Sequence, residues 1–464
     1  MKTESTAMPS FTSKLLGRSS SDSKKTSVSS SRKNTSASTT NTNGCENVDD
    51  IDEVDEQGQS ILLGIIAQLR PGCDLSRITL PTFILERKSL LERITSQLQQ
   101  PDIVMKAEAT RDDSLERFLL VVKWYMSCWH IAPKAVKKPL NPILGEFFTC
   151  YWDLPNGEQA YYISEQTSHH PPKSSYFYTI PSSNLRVDGI VIPKSRFLGN
   201  STAAIMDGVT RLSFMDIRDP ETGEPETYTL TQPNMYGRGI LFGSLKFELG
   251  DHMVVKCPST GYEADIEFKT KGFISGTYNA IHGVIIDTRT DETLYEITGK
   301  WNEQMYIKDL DSDEKKIFWD CDEANPLRPK VRPLEEQGDY ESRKLWKKVT
   351  DALADRDHKI ATDEKFKIEE EQRKEATARE EEGVEFHPKL FKPLSIEESV
   401  EDGNDKLEFI IYKDRSLDKD FAEHDTESIK KHIFEMAPIL PGQKFDKQFR
   451  IPAYEKIADQ PGEE

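Results

Sequence analysis

The sequence has no apolar run long enough to cross a membrane. Its longest strongly apolar stretch without a charged residue covers positions 57–69, whereas a membrane-spanning helix needs about 20 apolar residues. No apolar signal-peptide core follows Met1. The six cysteines are scattered and form no CxxC pair, so we expect reduced thiols in a cytosolic protein.

Basic residues are in deficit, with 61 Lys and Arg against 80 Asp and Glu and a formal net charge of −19. A general nucleic-acid binder needs a basic surface, and permanent attachment to an anionic membrane normally uses clustered Lys and Arg. The charge balance therefore argues against both classes. The 36% share of hydrophobic residues allows a core but is low for a chain that is folded throughout.

The sequence also lacks the spacings that usually carry catalysis. It contains no HExxH, no GxSxG, no Walker loop and no GxGxxG element that opens a helix. Each of these spacings holds a metal, a nucleophile or a phosphate in a defined geometry. We therefore expect that the protein is not an enzyme and binds no metal or cofactor.

The composition changes along the chain and predicts five regions. The first is rich in Ser and Thr and should be disordered, because it can bury little apolar surface. The third carries helical patterns at 89–99, stopped by Pro101, and at 114–129, and the fifth carries them at 340–382 and 425–436. The five predicted regions are a tail at 1–45, an acidic stretch and lid helix at 46–72, a helical segment at 73–135, a β-barrel core at 136–335 and a helical or mixed subdomain at 336–464.

The short helix after the acidic stretch is apolar around nearly its whole circumference, so another part of the molecule must cover it. It fits either a core helix or a lid over an apolar cavity. Its apolar residues are Ile61, Leu62, Leu63, Ile65, Ile66 and Leu69.

Short segments rich in Tyr, Phe, Ile, Val and Thr dominate positions 146–319, and turn residues separate them. Many close strands with short connections predict a meandering antiparallel sheet, which normally closes into a barrel. The predicted fold class is therefore mostly β with flanking α. The predicted strands are 147–152, 159–165, 175–180, 228–231, 240–249, 252–256, 264–268, 275–286, 293–300 and 304–307.

The most unusual string is EQTSHHPP at 165–172. Adjacent histidines on extended backbone point in different directions, and the two prolines fix the turn that follows. Alone, the pair fits a surface loop, one metal ligand or the recognition of an anion. Lys138 and Asn141, which add an ammonium group and an amide nearby, favour the anion.

Three charged residues far downstream, Lys365, Glu369 and Arg373, recur at every fourth position. On a helix they share one stripe that is about 12 Å long. Glu369 can pair with either neighbour and hold both long side chains in place. Taken alone, this pattern is more typical of a surface ladder than of a binding site.

EQTSHHPP resembles the fingerprint of the oxysterol-binding protein related family, whose usual form is EQxSHHPP. Companion segments occur in the family's order, and the entry segment LPTFILE is most similar to the fungal phosphatidylserine-transferring branch. We expect a short form without a membrane-targeting domain. The companions are LPTFILE at 80–86, KPLNPILGE at 138–146, YGRGILFGSLKFELG at 236–250, FKTKGFISGTYNAIHGVI at 268–285 and ESRKLW at 341–346.

This resemblance implies a near-complete antiparallel barrel around a hydrophobic lipid tunnel, with an N-terminal lid, helical segments and a C-terminal α/β subdomain. It implies a lipid-transfer protein that exchanges phosphatidylserine for phosphatidylinositol 4-phosphate. A sterol as the second lipid, or a phosphoinositide-dependent lipid sensor, is the alternative. The resemblance further implies a monomer at endoplasmic reticulum–plasma membrane contacts, with transient contact to anionic membranes and a tether protein as a possible partner.

The resemblance also assigns residues to the two headgroups. His169 and His170 would hold the 4-phosphate with Arg373 beside them, while Glu369 would orient the basic groups or contact inositol hydroxyls. The phosphoinositide set is Lys138, Asn141, His169, His170, Lys365, Glu369 and Arg373. The phosphatidylserine set is Leu80, Thr82, Ile84, Lys138, Asn141 and Ser195.

Overall fold

The computed structural model describes residues 70–74, 82–131, 137–239, 246–272, 276–394, 407–412, 414–444 and 454–456. The predicted tail, the acidic stretch, the apolar residues of the lid helix (Ile61, Leu62, Leu63, Ile65, Ile66 and Leu69) and Leu80 lie outside these residues. In the part that is described, no helix combines the length and the apolar character needed to span a bilayer. No group of three or more His, Cys, Asp or Glu side chains in that part is placed to hold a metal ion.

One antiparallel sheet of 13 strands dominates the described residues. Its strands are β3 Phe147–Asp153, β4 Gln159–His169, β5 Pro172–Ile180, β6 Leu185–Phe197, β7 Ser201–Arg218, β8 Pro225–Leu230, β9 Asn234–Arg238, β10 Lys246–Cys257, β11 Tyr262–Lys269, β12 Ala280–Asp287, β13 Glu292–Lys300, β14 Gln304–Asp309 and β15 Lys315–Asp320. Three two-stranded sheets are formed by the parallel pair β1 Leu85–Ser89 and β2 Lys138–Leu140, and by the antiparallel pairs β16 Val384–Phe386 with β19 Tyr454–Lys456 and β17 Phe391–Pro393 with β18 Phe409–Ile411.

In the sequence, α-helices both precede and follow the strands of the large sheet. The α-helices are α1 Leu90–Arg93, α2 Pro101–Ala109, α3 Ser114–Met126, α4 Ser342–Leu345, α5 Lys347–Ala354, α6 His358–Glu382, α7 Asp414–Ala422 and α8 Thr426–Met436. Short 3₁₀ helices cover Thr82–Ile84, Ile94–Leu98, Trp129–Ile131, Pro181–Ser183, Cys321–Glu323 and Leu334–Glu336.

A short segment of chain connects the two edges of the large sheet. The backbone of Lys330, ten positions after the end of β15, exchanges two hydrogen bonds of 2.7 and 2.9 Å with Tyr151 on β3. The chain that leaves one edge strand therefore returns to the other edge strand. The prediction of a mostly β fold with flanking helices and a near-complete antiparallel barrel is confirmed.

The two longest strands were missing from the prediction. β6 has 13 residues and β7 has 18, and their glycines and Pro193 interrupt the strand pattern in the sequence. In the structure these glycines lie inside the strands, where neighbouring groups contact the backbone closely. A Cβ on Gly189 would lie 2.1 Å from the ring of Tyr176, and Gly208 has a φ of +124° against the Ile190 carbonyl. Both positions allow neighbouring groups to approach the backbone.

Several predicted boundaries were also wrong. Pro101 begins α2 instead of only stopping the preceding helix, because proline fits the first helical position. From Lys246 onward the predicted strands at 240–249 and 252–256 form a single strand, β10, whereas positions 240–245 lie outside the described residues. The single helical stretch expected at 340–382 is divided into α4, α5 and α6. The helix at 425–436 is confirmed as α8, where the Asp425 side chain caps the first turn.

Side chains on β3–β5 alternate between two hydrophobic cores, so both faces of this part of the sheet are covered. Tyr176 and Tyr178 belong to a large core that also contains Trp124 of α3. Phe177, which lies between these tyrosines, belongs to a second core with Ile433 of α8. The period of two therefore places large aromatic side chains on the barrel face, and the side chains between them face a helical layer behind the sheet.

Successive strands run in opposite directions, so their termini fall at two opposite ends of the sheet. We call the end at which β4 stops the histidine end. The strand termini at the histidine end include His169, Phe197, Ser201, Arg238, Lys246, Lys269 and Ala280. The backbone of Gly72 and Cys73 bonds to Phe197, which brings the segment after the predicted lid to this same end.

Candidate functional site

The two histidines occupy the tight turn between β4 and β5. Their ring centroids are 4.6 Å apart, and the His170–Pro171 peptide bond is cis. His170 is exposed, whereas His169 is partly buried beside the Pro142 carbonyl. Burial and the neighbouring His170 lower the pKa of His169 to about 4, although the Pro142 carbonyl opposes the shift. The His169 ring is therefore neutral at neutral pH in the free protein.

The Nδ1 atom of His169 is buried and has no hydrogen-bond partner among the described residues. A buried polar atom without a partner is costly to the fold and calls for an explanation, such as a water, an ion or a functional role. The adjacent His170 ring is exposed to solvent. The turn therefore presents one pre-positioned neutral imidazole and one accessible imidazole side by side.

The residues that precede the histidines hold the turn in place. Both carboxylate oxygens of buried Glu165 accept backbone N–H groups, from Lys389 and Leu390, at 2.8 Å each. Burial raises the pKa of Glu165 to about 7, and these N–H groups oppose the increase. The first residue of EQTSHHPP thus fastens β4 to a segment more than 200 positions away.

Gln166 and Ser168 continue this role. The side-chain amide of Gln166 donates to the Ser168 carbonyl at 2.8 Å and accepts from the Ser174 hydroxyl at 2.6 Å. The Ser168 hydroxyl donates to the Pro171 carbonyl at 2.8 Å. Because these polar groups are committed to the turn itself, the histidines are the members of the motif that can meet a ligand.

Glu146 anchors the neighbouring loop. Its fully buried carboxylate accepts four hydrogen bonds and joins β1, the 138–146 loop and α4. The donors are the Ser89 hydroxyl at 2.5 Å, the Ser342 hydroxyl at 2.6 Å, the Trp346 indole at 2.9 Å and the Ile143 amide at 3.1 Å. Burial raises the pKa of this carboxyl group, and the four donors oppose that change. The KPLNPILGE and ESRKLW segments therefore meet at a single carboxylate.

The same loop is fixed to the histidine strand. The backbone N–H of Gln166 donates to the Glu146 carbonyl at 2.8 Å, and the backbone N–H of Gly145 donates to the backbone carbonyl of Gln166 at 3.0 Å. These bonds explain why Pro142 faces His169. Asn141, which directly precedes Pro142, is exposed at the same place.

Lys138 lies on β2, three residues before Asn141. Burial and the positive charge of Lys365 lower the pKa of its ammonium group, whereas the negative charges of Glu369 and Asp74 oppose the decrease. Three charged groups, two from α6 and one from Asp74, therefore surround one partly buried lysine. This environment favours an additional anion, which would relieve the repulsion between Lys138 and Lys365.

The stripe on α6 is only partly assembled as expected. Lys365 forms an ion pair with Glu369, as the four-residue spacing predicts. The prediction that Glu369 could also hold Arg373 was wrong for this structure. The Arg373 guanidinium donates to Glu370 at 2.9 and 3.1 Å and lies 5.5 Å from the Phe366 ring. Glu370, three positions earlier, offers Arg373 the shorter reach.

Of the residues assigned to phosphatidylserine alone, Thr82, Ile84 and Ser195 are described. The buried hydroxyl of Thr82 is 3.3 Å from the carbonyl oxygen and 3.4 Å from the Nδ1 atom of His358, where α6 begins. Ile84 is buried in the same short helix. Ser195 lies on β6, one residue before Arg196, whose backbone forms a bridge with Asp74. Asp74 connects this strand end to the charge environment of Lys138.

The structure thus brings His169, His170, Asn141, Lys138, Lys365 and Glu369 into one series of neighbours at the histidine end. Arg373 pairs with Glu370 and Ser195 lies on β6, and no contact among the described residues joins either to this series, so their assigned roles stay predictions. Sequence reasoning missed the anchoring roles of Glu146 and Glu165 and the position of Asp74. A signal was present for the first two, since Glu146 is an isolated carboxylate directly before Phe147, and Glu165 is one two positions after Ile163.

Comparison with protein families and curated relatives gives one consistent result. Residues 64–352 match the model of the oxysterol-binding protein family. The chain is 59% identical over 442 residues to oxysterol-binding protein homolog 6 of Saccharomyces cerevisiae, and the match covers 95% of each chain. It is 62% identical over 401 residues to homolog 7 of the same yeast, covering 86% of this chain and 88% of that one.

Solved structures with a similar fold carry lower sequence identity. The Osh1 ORD domain in complex with cholesterol superposes with a TM-score of 0.63 at 23% identity, covering 81% of this chain and 91% of that one. The Osh3 ORD of Saccharomyces cerevisiae in complex with PI(4)P superposes with a TM-score of 0.56 at 21% identity, covering 78% and 93%. At these identities the likeness extends to the fold.

Proposed function

The chain belongs to the oxysterol-binding protein family, and from this premise we propose that it transfers lipids between membranes by exchanging phosphatidylserine for phosphatidylinositol 4-phosphate. One observation carries the proposal. At the histidine end of the barrel, the histidine turn meets the 138–146 loop and the charged groups around Lys138. The segment that follows the predicted lid reaches this same end.

The chemistry of this cluster suits a phosphorylated headgroup. A phosphate monoester carries a charge of about −1.5 to −2 and several strong acceptor oxygens. Two imidazoles can donate N–H bonds to it, and Lys138 and Lys365 supply positive charge close by. Glu369 holds the Lys365 ammonium and can accept bonds from inositol hydroxyls.

The two lipids would compete for the same end of the barrel. Every glycerophospholipid has a phosphodiester, which Lys138 and Asn141 can bind without the histidines. Only the phosphoinositide adds a monoester that reaches His169 and His170. Sharing Lys138 and Asn141 makes occupancy by one lipid exclude the other, which is the condition for exchange one molecule at a time.

A closed apolar interior is needed for the acyl chains. Exposing about 30 methylene groups to water costs roughly 24 kcal/mol, at about 0.8 kcal/mol per group. That cost makes free diffusion of a two-chain lipid negligible. The aromatic core face on β3–β5, including Trp152 and Tyr178, is apolar and fully buried, which supports an interior suited to acyl chains.

The remaining parts of the proposal follow from this role. The protein works without chemical conversion of the lipid, as a monomer with transient contact to anionic membranes. It acts at contacts between the endoplasmic reticulum and the plasma membrane, and a tether protein is a candidate partner there.

A sterol is the second candidate for the exchanged lipid, and one observation favours it. The Tyr178 hydroxyl is buried in the large core and has no hydrogen-bond partner among the described residues. A sterol has one hydroxyl group, which could form a hydrogen bond with the Tyr178 hydroxyl. Mass spectrometry of the lipids that co-purify with the protein separates the candidates, because phosphatidylserine supports the proposal and a sterol supports the alternative.

Binding of phosphatidylinositol 4-phosphate is expected to take up protons between pH 6.5 and pH 8. The free protein holds His169 neutral, with a pKa of about 4, and a phosphate beside the ring raises that pKa. A ligand that promotes protonation binds more tightly as the pH falls, so affinity should increase from pH 8 towards pH 6.5. Calorimetry in buffers with different ionisation enthalpies measures the uptake. No buffer dependence, or the same dependence in His169→Gln, would contradict the assignment.

Replacing Lys138 with alanine is expected to weaken the extraction of both lipids by about 10-fold or more, because a charge-assisted bond to phosphate contributes about 1.5–3 kcal/mol. The loss should be similar for the two lipids, since Lys138 contacts their common part. Extraction from labelled vesicles measures it, with Lys367→Ala on the exposed side of α6 as the control. A loss confined to one lipid would show that the site is not shared at this residue.

A further inference from the structure

Tyr278 lies between two ammonium groups on the surface. The Nζ atoms of Lys246 and Lys271 are 4.2 and 4.3 Å from the centroid of its ring. Tyr278 is 37% exposed. Within the described residues neither lysine forms an ion pair with a carboxylate, and Lys246 is exposed whereas Lys271 is half-buried.

A buried carboxylate builds this arrangement. Glu248 is 3% exposed, and its two oxygens accept the Lys271 amide at 2.9 Å and an Arg238 N–H at 3.1 Å. The same Arg238 nitrogen donates to the Lys271 carbonyl at 2.7 Å. Glu248 therefore fixes the chain around Lys271 against β9 and β10.

The cluster lies at the histidine end of the sheet. Lys246 is opposite Arg238, and Arg238 is opposite Ser201, where the hairpin from β6 enters β7. Leu198 on that hairpin is 48% exposed. Around the buried Glu248, the three basic residues leave a local excess of positive charge on a chain whose formal net charge is −19.

We propose that Lys246, Lys271, Tyr278 and Leu198, here called the lysine–tyrosine rim, form the surface that docks the histidine end on an anionic lipid bilayer. The ammonium groups meet anionic headgroups, and Tyr278 has the apolar body and polar tip that suit a membrane interface. Leu198 is placed to enter the apolar boundary. The location of the rim at the lipid entrance rests on the proposed function, whereas its affinity for an anionic surface does not.

Charge complementarity favours a bilayer as the occupant. The rim pairs two unneutralised cations with exposed aromatic and aliphatic groups, a combination that binds lipid interfaces. An acidic protein partner would use the cations but would gain little from the exposed Leu198. Binding to vesicles that contain no protein tests the lipid surface directly.

The test compares two charge reversals of equal size. Lys246→Glu with Lys271→Glu changes the rim. Lys315→Glu with Lys316→Glu changes exposed lysines at the opposite end of the sheet, where Lys315 lies 4.9 Å from the Tyr306 ring. Co-sedimentation uses the full chain with vesicles of phosphatidylcholine alone or with phosphatidylglycerol, an anionic lipid other than the proposed cargo.

We expect the rim variant to bind phosphatidylglycerol vesicles at least about 10-fold more weakly, since each basic residue near the surface contributes several-fold, and the control variant to stay within about 2-fold of the parent. The difference should shrink as salt is added. Equal losses in both variants, or no loss in the rim variant, would overturn the proposal, and in the latter case an acidic protein partner would have to be sought.

Two further measurements keep the test independent of folding and of the exchange reaction. Lys246→Gln with Lys271→Gln introduces no new negative charge and should still lose several-fold in vesicle binding, with an unchanged thermal midpoint. Binding of short-chain, water-soluble phosphatidylserine should persist in all rim variants. If the rim variants lose short-chain phosphatidylserine but keep their affinity for vesicles, the rim is not a docking surface. If the parent protein itself does not bind short-chain phosphatidylserine, that result counts against the proposed exchange alone.

Discussion

Replacing His169 and His170 with alanine should reduce phosphatidylinositol 4-phosphate extraction by at least about 100-fold and leave phosphatidylserine extraction within about 2-fold. Two hydrogen bonds to a charged phosphate contribute about 1.5–3 kcal/mol each, and every 1.4 kcal/mol is a factor of ten in affinity. Phosphatidylserine lacks the monoester and would depend on Lys138 and Asn141. Extraction of each lipid from labelled vesicles measures the two effects separately.

The chain offers a matched control for this double substitution. His252 and His282 are exposed on the barrel surface, where they pair with Asp265 and Glu296. Replacing them with alanine removes the same number of imidazoles away from the histidine turn and should leave extraction of both lipids unchanged. Equal loss of both lipids in a folded His169→Ala/His170→Ala variant would contradict the division of the site into a shared part and a phosphoinositide part.

Replacing Glu146 with alanine should lower the free energy of unfolding by about 3–5 kcal/mol, the range for breaking a buried charged network. Four donors, from β1, the 138–146 loop, α4 and Trp346 directly after α4, converge on this fully buried carboxylate. Alanine would leave them without an acceptor, and each unsatisfied buried donor costs about 1–3 kcal/mol before relaxation. Denaturant unfolding followed by tryptophan fluorescence measures the loss, since Trp346 is one of the donors.

Two variants bracket this result. Glu146→Gln keeps the shape but turns an amide N–H₂ towards donor groups, so we expect a smaller but clear loss of stability. Glu303, which is exposed and pairs only with Lys300 among the described residues, should tolerate alanine with a change of at most about 0.5 kcal/mol. A loss at Glu146 no larger than the loss at Glu303 would mean that water replaces the carboxylate and that the loop has another anchor.

The histidine turn shows how far the sequence could predict the site. EQTSHHPP located the turn, because adjacent histidines before two prolines leave few backbone choices. The motif could not reveal why its first residue is glutamate. That reason lies at Lys389 and Leu390, whose amides bind Glu165 across 224 and 225 positions. Pairings over such distances depend on the complete topology, which no local pattern contains.

The α6 stripe shows the opposite limit. Spacing predicted the Lys365–Glu369 pair, because residues four apart share a helix face. It could not choose between Glu369 and Glu370 as the partner of Arg373, since both lie within reach. The contact with Phe366 and the shorter spacing decided for Glu370 in the free protein. The lid residues and Leu80 lie outside the described part of the chain, and their roles stay predictions.

The fold followed from periodicity wherever a strand carried a simple alternation. β6 and β7 escaped because Gly189, Pro193 and Gly208 break that alternation. The two glycines are required by close contacts with Tyr176 and with the neighbouring strand, which are tertiary facts. The longest strands of the barrel were therefore the hardest to see in the sequence.

The central claim is that two lipids alternate in one site, and a two-vesicle exchange assay tests it most directly. Donor vesicles carry fluorescent phosphatidylserine, and acceptor vesicles either contain or lack phosphatidylinositol 4-phosphate. The account predicts that phosphatidylserine moves many times per protein molecule and faster when the acceptor contains the phosphoinositide, which moves in the opposite direction. Phosphatidylserine transfer that is indifferent to the phosphoinositide, or extraction of one lipid per protein without turnover, would contradict exchange.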